Sequence, residues 1–174
     1  MKKFIIAMIA ILSFASVNGF ACDQCDKEQP VSSFDKLKDL VGNWEGKSGE
    51  GGKEQTVKAT YQLTSAGTAL EEKILIGTPH EMISIYYPDG KTVSMTHYCA
   101  IGNRPVMTLK KTSNDGMFFE MNGKNGIQSK NEQHMHSLEV VWKSDDEILQ
   151  NWTSFKDGKK SETASFTWKR VATK

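Results

Sequence analysis

Four side chains with donor chemistry fall in two short pairs. His97 and Cys99 stand in Thr96-His97-Tyr98-Cys99, and His134 and His136 stand in His134-Met135-His136. On a strand, residues i and i+2 point the same way, so each pair presents two groups roughly 6–7 Å apart. A set of three imidazoles and one thiol suits a borderline-soft metal such as zinc. The same groups also suit a polar patch that selects a ligand, or a network in which they hydrogen-bond one another. His97 beside Cys99 offers a third chemistry, the Cys–His nucleophile of a small hydrolase or isomerase, although no third group in the motif orients the pair.

These pairs require strands. Phe34, Leu37, Leu40 and Val41 recur at helical spacing behind Ser32-Ser33, which predicts a short amphipathic helix capped by those serines and stopped at Gly42. From Gly42 the period becomes two. Ten strands are expected: 42–47, 54–63, 69–76, 81–87, 91–99, 105–111, 116–122, 133–143, 146–155 and 161–171. Turn signals such as Pro88-Asp89-Gly90, Gly102-Asn103, Asn114-Asp115-Gly116 and Asp157-Gly158 separate them. Many short strands joined by short turns make an all-β antiparallel meander, and closing it removes the adhesive edges.

Alternation then assigns faces. Val93, Met95, His97 and Cys99 share one. His134 and His136 share another with Leu138, Val140 and Trp142. If the first strand runs up from a closed end, the fifth ends at the open end and the eighth begins there. All four histidines, including His80 in the loop after the third strand, then gather with Cys99 at one mouth. Glu72 follows the face of Leu70, Ile74 and Ile76, where an ion pair with a core cation such as Arg170 is expected. Met82, Met95, Met107, Met117 and Met121 read as pliable core.

The ends and composition bound the rest. The chain has 174 residues, enough for one domain with a core of its own. Met1-Lys2-Lys3 followed by an apolar run to Ala15 and by Gly19-Phe20-Ala21 reads as a signal peptide over residues 1–21, cleaved near Ala21. That run is too short to span a bilayer as a transmembrane segment. A polar tether over 22–31 and a barrel domain over 32–174 follow. Export to the periplasm or beyond is expected, with lipid anchoring at Cys22 as the alternative. Cys22 and Cys25 are spaced to close a small disulfide in an oxidising compartment. Without the leader, 20 basic residues face 21 acidic ones, so no charge field argues for a nucleic acid partner. Neither a nucleophile elbow, a zinc-protease motif nor a phosphate-binding glycine loop is present in the sequence.

A helix followed by Gly42-Asn43-Trp44 and an antiparallel meander whose last strand carries Arg170 resembles the lipocalin and calycin superfamily. More narrowly, Gly67-x-Ala69-Leu70-Glu71-Glu72, Thr96-His97-Tyr98-Cys99, Gly102-Asn103-x-Pro105-x-Met107 and His134-Met135-His136 resemble a family of small secreted bacterial lipocalin-like proteins. The resemblance covers about residues 34–171 and implies a fold without an activity. It also implies that Trp44 packs under Arg170 at the closed end. The strand count is similar to that of nitrobindin, a haem-binding barrel, which adds haem to zinc as a cofactor alternative.

The expected function is therefore an exported barrel that binds a small hydrophobic molecule. Its lumen would be lined by Met95, Leu138, Val140 and Trp142, with His97, Cys99, His134 and His136 giving selectivity at the mouth. A zinc or haem protein using the same four residues, an enzyme using His97 and Cys99, and a barrel packed solid are the rivals.

Overall fold

A computed structural model describes residues 31–50, 53–123 and 125–172. The leader, the Cys22–Cys25 pair and the tether lie outside the described residues, save that residue 31 already belongs to the helix. Helix α1 is Val31–Lys38. Ten strands follow: β1 Gly42–Glu50, β2 Lys53–Thr64, β3 Ala69–Ile74, β4 Met82–Asp89, β5 Thr92–Tyr98, β6 Val106–Thr112, β7 Gly116–Met121, β8 His134–Ser144, β9 Glu147–Lys156 and β10 Lys159–Val171. Each pairs antiparallel with its chain neighbours and β10 pairs with β1, so the meander closes into a barrel. No described helix is long and apolar enough to cross a membrane.

The turns work as their residue types require. At the β9–β10 hairpin, Asp157 and Gly158 both adopt positive φ, 54° and 71°, the mirror-image turn that follows the right-handed twist of the strands. β3 ends sooner than alternation predicts, because Leu75 takes φ 57° and leaves the strand.

The helix covers one end of the barrel. Phe34, Leu37 and Leu40 are buried in the core, whereas Val41, expected with them, is exposed. The reason is local: after Lys38 the chain tightens into i→i+3 bonds, Leu40 N–H to Leu37 O and Val41 N–H to Lys38 O, which turn Val41 outward. The helix also starts before the serines expected to cap it, so Ser32 and Ser33 lie inside its first turn. Below it, Trp44 donates its indole N–H to Leu40 O at 2.8 Å, and the Arg170 guanidinium lies 4.3 Å over the Trp44 ring. Arg170 uses its remaining donors on the carbonyls of Asp39, Val41 and Asp145 and on the Asp146 carboxylate. One side chain thereby satisfies three carbonyls from two chain segments.

β1 approaches β10 so closely that a Cβ on Gly46 would stand 2.6 Å from the Trp168 ring and 2.9 Å from the Thr167 carbonyl. Glycine is required there. The interior is filled by one continuous apolar cluster that includes Met95, Met107, Phe119, Leu138, Val140 and Trp168, all fully buried.

Candidate functional site

Register places three polar stations inside or at the rim of this barrel. The first lies nearest the helix. Glu72 on β3 sits opposite Tyr61 on β2 and, on its other side, opposite Ser84 on β4. Its fully buried carboxylate accepts hydrogen bonds from Tyr61 Oη at 2.6 Å, Tyr86 Oη at 2.9 Å and Gln150 Nε2 at 2.6 Å. The Trp168 indole donates to Gln150 Oε1 at 2.8 Å. An indole N–H can only donate, so this bond fixes the orientation of the Gln150 amide and aims its NH₂ at Glu72 and at the Tyr61 oxygen. Burial, and then the Glu72 charge, push both phenols well above their ordinary range, so they remain donors.

The expected ion pair of Glu72 with Arg170 does not form. Arg170 is occupied with backbone carbonyls at the barrel end, and neutral donors from three other strands surround Glu72. Alternation places Tyr61 and Gln150 on inward faces. A lone glutamine between Ile148 and Trp152, on the inward face, is the sequence signal for this network.

The second station is His97. It lies opposite Ser84 across β4 and β5, with Nδ1 3.1 Å from the Ser84 hydroxyl. Its ring lies against that of Trp152, with centroids 4.5 Å apart and planes 39° apart. Both rings are buried, and neither His97 Nε2 nor Trp152 Nε1 has a hydrogen-bond partner. Burial lowers the His97 pKa to about 4, so the imidazole is neutral across the physiological range. Two residues on, the Cys99 thiol meets Met82 Sδ at 3.8 Å. Burial raises the Cys99 pKa against the pull of the Ala100 and Ile101 backbone, the reverse of what a thiolate nucleophile needs.

The third station is the histidine pair of β8. His134 Nε2 and His136 Nδ1 are 3.2 Å apart, and His134 Nδ1 meets the Glu132 carbonyl at 2.7 Å. His136 stacks on Phe155, centroids 3.8 Å apart and planes 17° apart. Alternation from Leu138 carries both histidines to the lumen face, but the strand bulges. Ser137 pairs with Thr153 and Met135 with Ser154, so one extra residue, His136, is inserted between them. Such a slip exchanges the faces beyond it. Met135 therefore joins the face of Ser154 and packs on the core, while His134 pairs with Phe155.

The pair borders an open pocket of about 230 Å³ at the rim, walled by Met121, Ile127, Lys130, His134, His136 and Phe155. Burial, and then the neighbouring His134, lower the His136 pKa.

The four expected ligand residues are thus divided. His134 and His136 meet each other, His97 meets Ser84 and Trp152, and Cys99 meets Met82. Among the described residues no three His, Cys, Asp or Glu side chains converge where a metal ion could sit. Of the expected lumen set, Met95, Leu138 and Val140 are fully buried core, but Trp142 is only half-buried. It stands at the helix end under the Lys36 ammonium, 4.9 Å from its ring centre. Eight residues separate it from His134 on one strand, roughly 26 Å by strand rise, so the two cannot share a small ligand.

Beside the rim pocket, Asn103 ties two loops together by donating to Glu132 Oε1 at 2.7 Å and to Gln133 O at 2.8 Å. That bond and the Gln128 N–H hold the Glu132 carboxyl below its usual range.

Compared with known proteins, the chain matches no family model and no curated sequence.

Proposed function

We propose that the protein is an exported carrier barrel that binds a small, largely apolar molecule at its rim, and that it belongs with the small secreted lipocalin-like proteins whose motifs it resembles. The observation that carries this reading is the pocket between β8, β9 and the β7–β8 loop. Its walls pair an aromatic and aliphatic surface (Phe155, Met121, Ile127) with imidazoles at the edge. That combination is typical of sites that take an apolar body and orient one polar group. At about 230 Å³ the pocket is smaller than the roughly 300–1,000 Å³ of drug-sized sites, which points to a ligand of one ring or one short chain. His136 stacked on Phe155 supplies a flat neutral face, and Lys130 stands at the opening.

Native mass spectrometry of the mature protein, purified from the cells that make it, tests this. An organic mass excess is expected, lost in a His136→Ala, Phe155→Ala variant. A stoichiometric zinc or haem mass in its place would transfer the function to the metal reading. A bare chain that also fails to enhance the fluorescence of an anilinonaphthalene sulfonate probe would remove the carrier reading altogether.

A further inference from the structure

We propose that the rim pocket selects a ligand whose polar group is an uncharged hydrogen-bond donor, a phenol being the class that fits, and that Nε2 of His136 does the selecting. The inference rests on the carrier reading, because it assigns the chemistry of that same pocket. It follows from the direction of one hydrogen-bonded relay. The Glu132 carbonyl can only accept, so the 2.7 Å contact with His134 Nδ1 places a hydrogen on that nitrogen. A neutral imidazole carries one such hydrogen, which leaves His134 Nε2 a bare lone pair. His136 Nδ1, 3.2 Å away, must then donate to it. The hydrogen of His136 is thereby engaged, and its Nε2 is left as an acceptor. That nitrogen has no partner among the described residues, and His136 is a wall of the pocket. A backbone carbonyl at one end of the relay thus sets what is presented at the other.

An acceptor calls for a donor. A carbonyl, ether or carboxylate would set lone pair against lone pair. An ammonium would donate, but the cation lining this pocket is Lys130, and like charges repel. A hydroxyl or ring N–H on an uncharged body remains. Phe155, Met121 and Ile127 suit an aromatic body, and about 230 Å³ suits one ring. A phenol joins both features, and its oxygen keeps lone pairs for the Lys130 ammonium. Acid reverses the selection. The titratable groups around His136 are His134 on its own strand, Glu120 on β7 and Lys130 in the pocket wall, while β9 sets the uncharged Phe155 against it. Once the ring is charged, Nε2 gains a hydrogen and becomes a donor, so a phenol loses its acceptor and a carboxylate gains a partner.

The test titrates the intact mature protein with 4-methylphenol, 4-methylanisole and 4-methylbenzoate, following the ¹⁵N signals of the imidazoles. At about pH 8, above the ordinary imidazole range, His136 should show a protonated Nδ1 and a bare Nε2. There 4-methylphenol should shift Nε2 and bind about fivefold more tightly than 4-methylanisole, the fold-change of one net hydrogen bond. When the pH is lowered until the same signals report a charged ring, that preference should vanish and 4-methylbenzoate should gain affinity. His136→Phe keeps a ring on Phe155, assigns the His136 signals by their loss and should abolish the preference. A hydrogen on His136 Nε2 near pH 8 would overturn the proposal, and so would a preference retained in His136→Phe. Equal binding of phenol and ether, with shifts at the rim, would overturn it and leave the carrier reading standing. If none of the three compounds moved a rim signal, the carrier reading and this inference would fall together. The wild-type measurements decide even if the variant fails to fold.

Discussion

The half of the barrel beneath the helix and the half that ends at the rim treat buried polar groups in opposite ways. Beneath the helix, Glu72, Tyr61, Tyr86, Gln150 and Trp168 satisfy one another through a chain of donors that ends on a carboxylate. Arg170 closes the backbone above them. Toward the rim, His97 and Trp152 each keep a free nitrogen, β8 bulges at His136, and a pocket opens. A satisfied network in a low-dielectric interior rigidifies a core, whereas an unsatisfied group there costs desolvation energy until something pairs with it. On the proposed reading, the lower half holds the fold and the upper half meets the ligand.

The sharpest way to break that comparison is to damage the lower network. Glu72→Leu keeps approximate volume but strips the acceptor from two phenols and an amide. Each orphaned donor costs about 1–3 kcal/mol, so a total near 4 kcal/mol is expected, or an unfolded protein. Urea unfolding followed by tryptophan fluorescence measures it. Tyr86→Phe, which removes one donor of three, should cost about 1 kcal/mol. A near-neutral Glu72→Leu would mean that apolar packing alone holds this half.

The next effect is a pH dependence from the upper half. The unfolded chain takes up a proton at His97 near pH 6.5, and the folded protein refuses it until about pH 4. Stability from this residue is therefore complete above pH 6.5 and drains away as pH falls toward 4, by about 3 kcal/mol in all. His97→Gln should flatten that part of the profile, as read from urea midpoints between pH 7 and 4. An unchanged slope would show that His97 is accessible to protons in the native state and that the upper half is wetter than its burial indicates.

These expectations also show what the sequence made legible. Period-two alternation, turn residues and the closing logic of a meander located all ten strands, because each depends only on neighbours along the chain. Placing the histidines of β8 required more than alternation. A bulge adds one residue without any local marker in Met135-His136-Ser137, and that single residue separated His134 and His136 from the lumen face of Leu138. Trp142 failed for a different reason: it shares a face with the lumen residues, but eight positions of strand carry it to the other end of the barrel. Glu72 was read as inward, yet its partners come from β2, β4 and β9, and Gln150 lies 78 residues away in sequence. A register across three strands decides such a contact, and spacing along one strand does not contain it.

The smallest stability effect is expected at the rim, and there the two halves should separate most cleanly. Replacing His134 and His136 by alanine removes one imidazole pair and one ring stacked on Phe155, beside an open pocket where water can reach the exposed groups. His134 is buried and bonded to the Glu132 carbonyl, whereas His136 is partly exposed, so a loss of about 1 kcal/mol is expected, the net worth of one such hydrogen bond. Ligand retention should respond far more strongly than folding. His136 is held neutral by burial and by its neighbour, so binding of an apolar molecule should be constant above the ordinary imidazole range and weaken once acid charges the ring. Titrating the neutral probe N-phenyl-1-naphthylamine at several pH values, in the wild type and in the double variant, reads both effects. If the double variant kept full affinity but lost several kcal/mol of stability, the rim would be a structural element like the Glu72 network, and the contrast between the halves would fail.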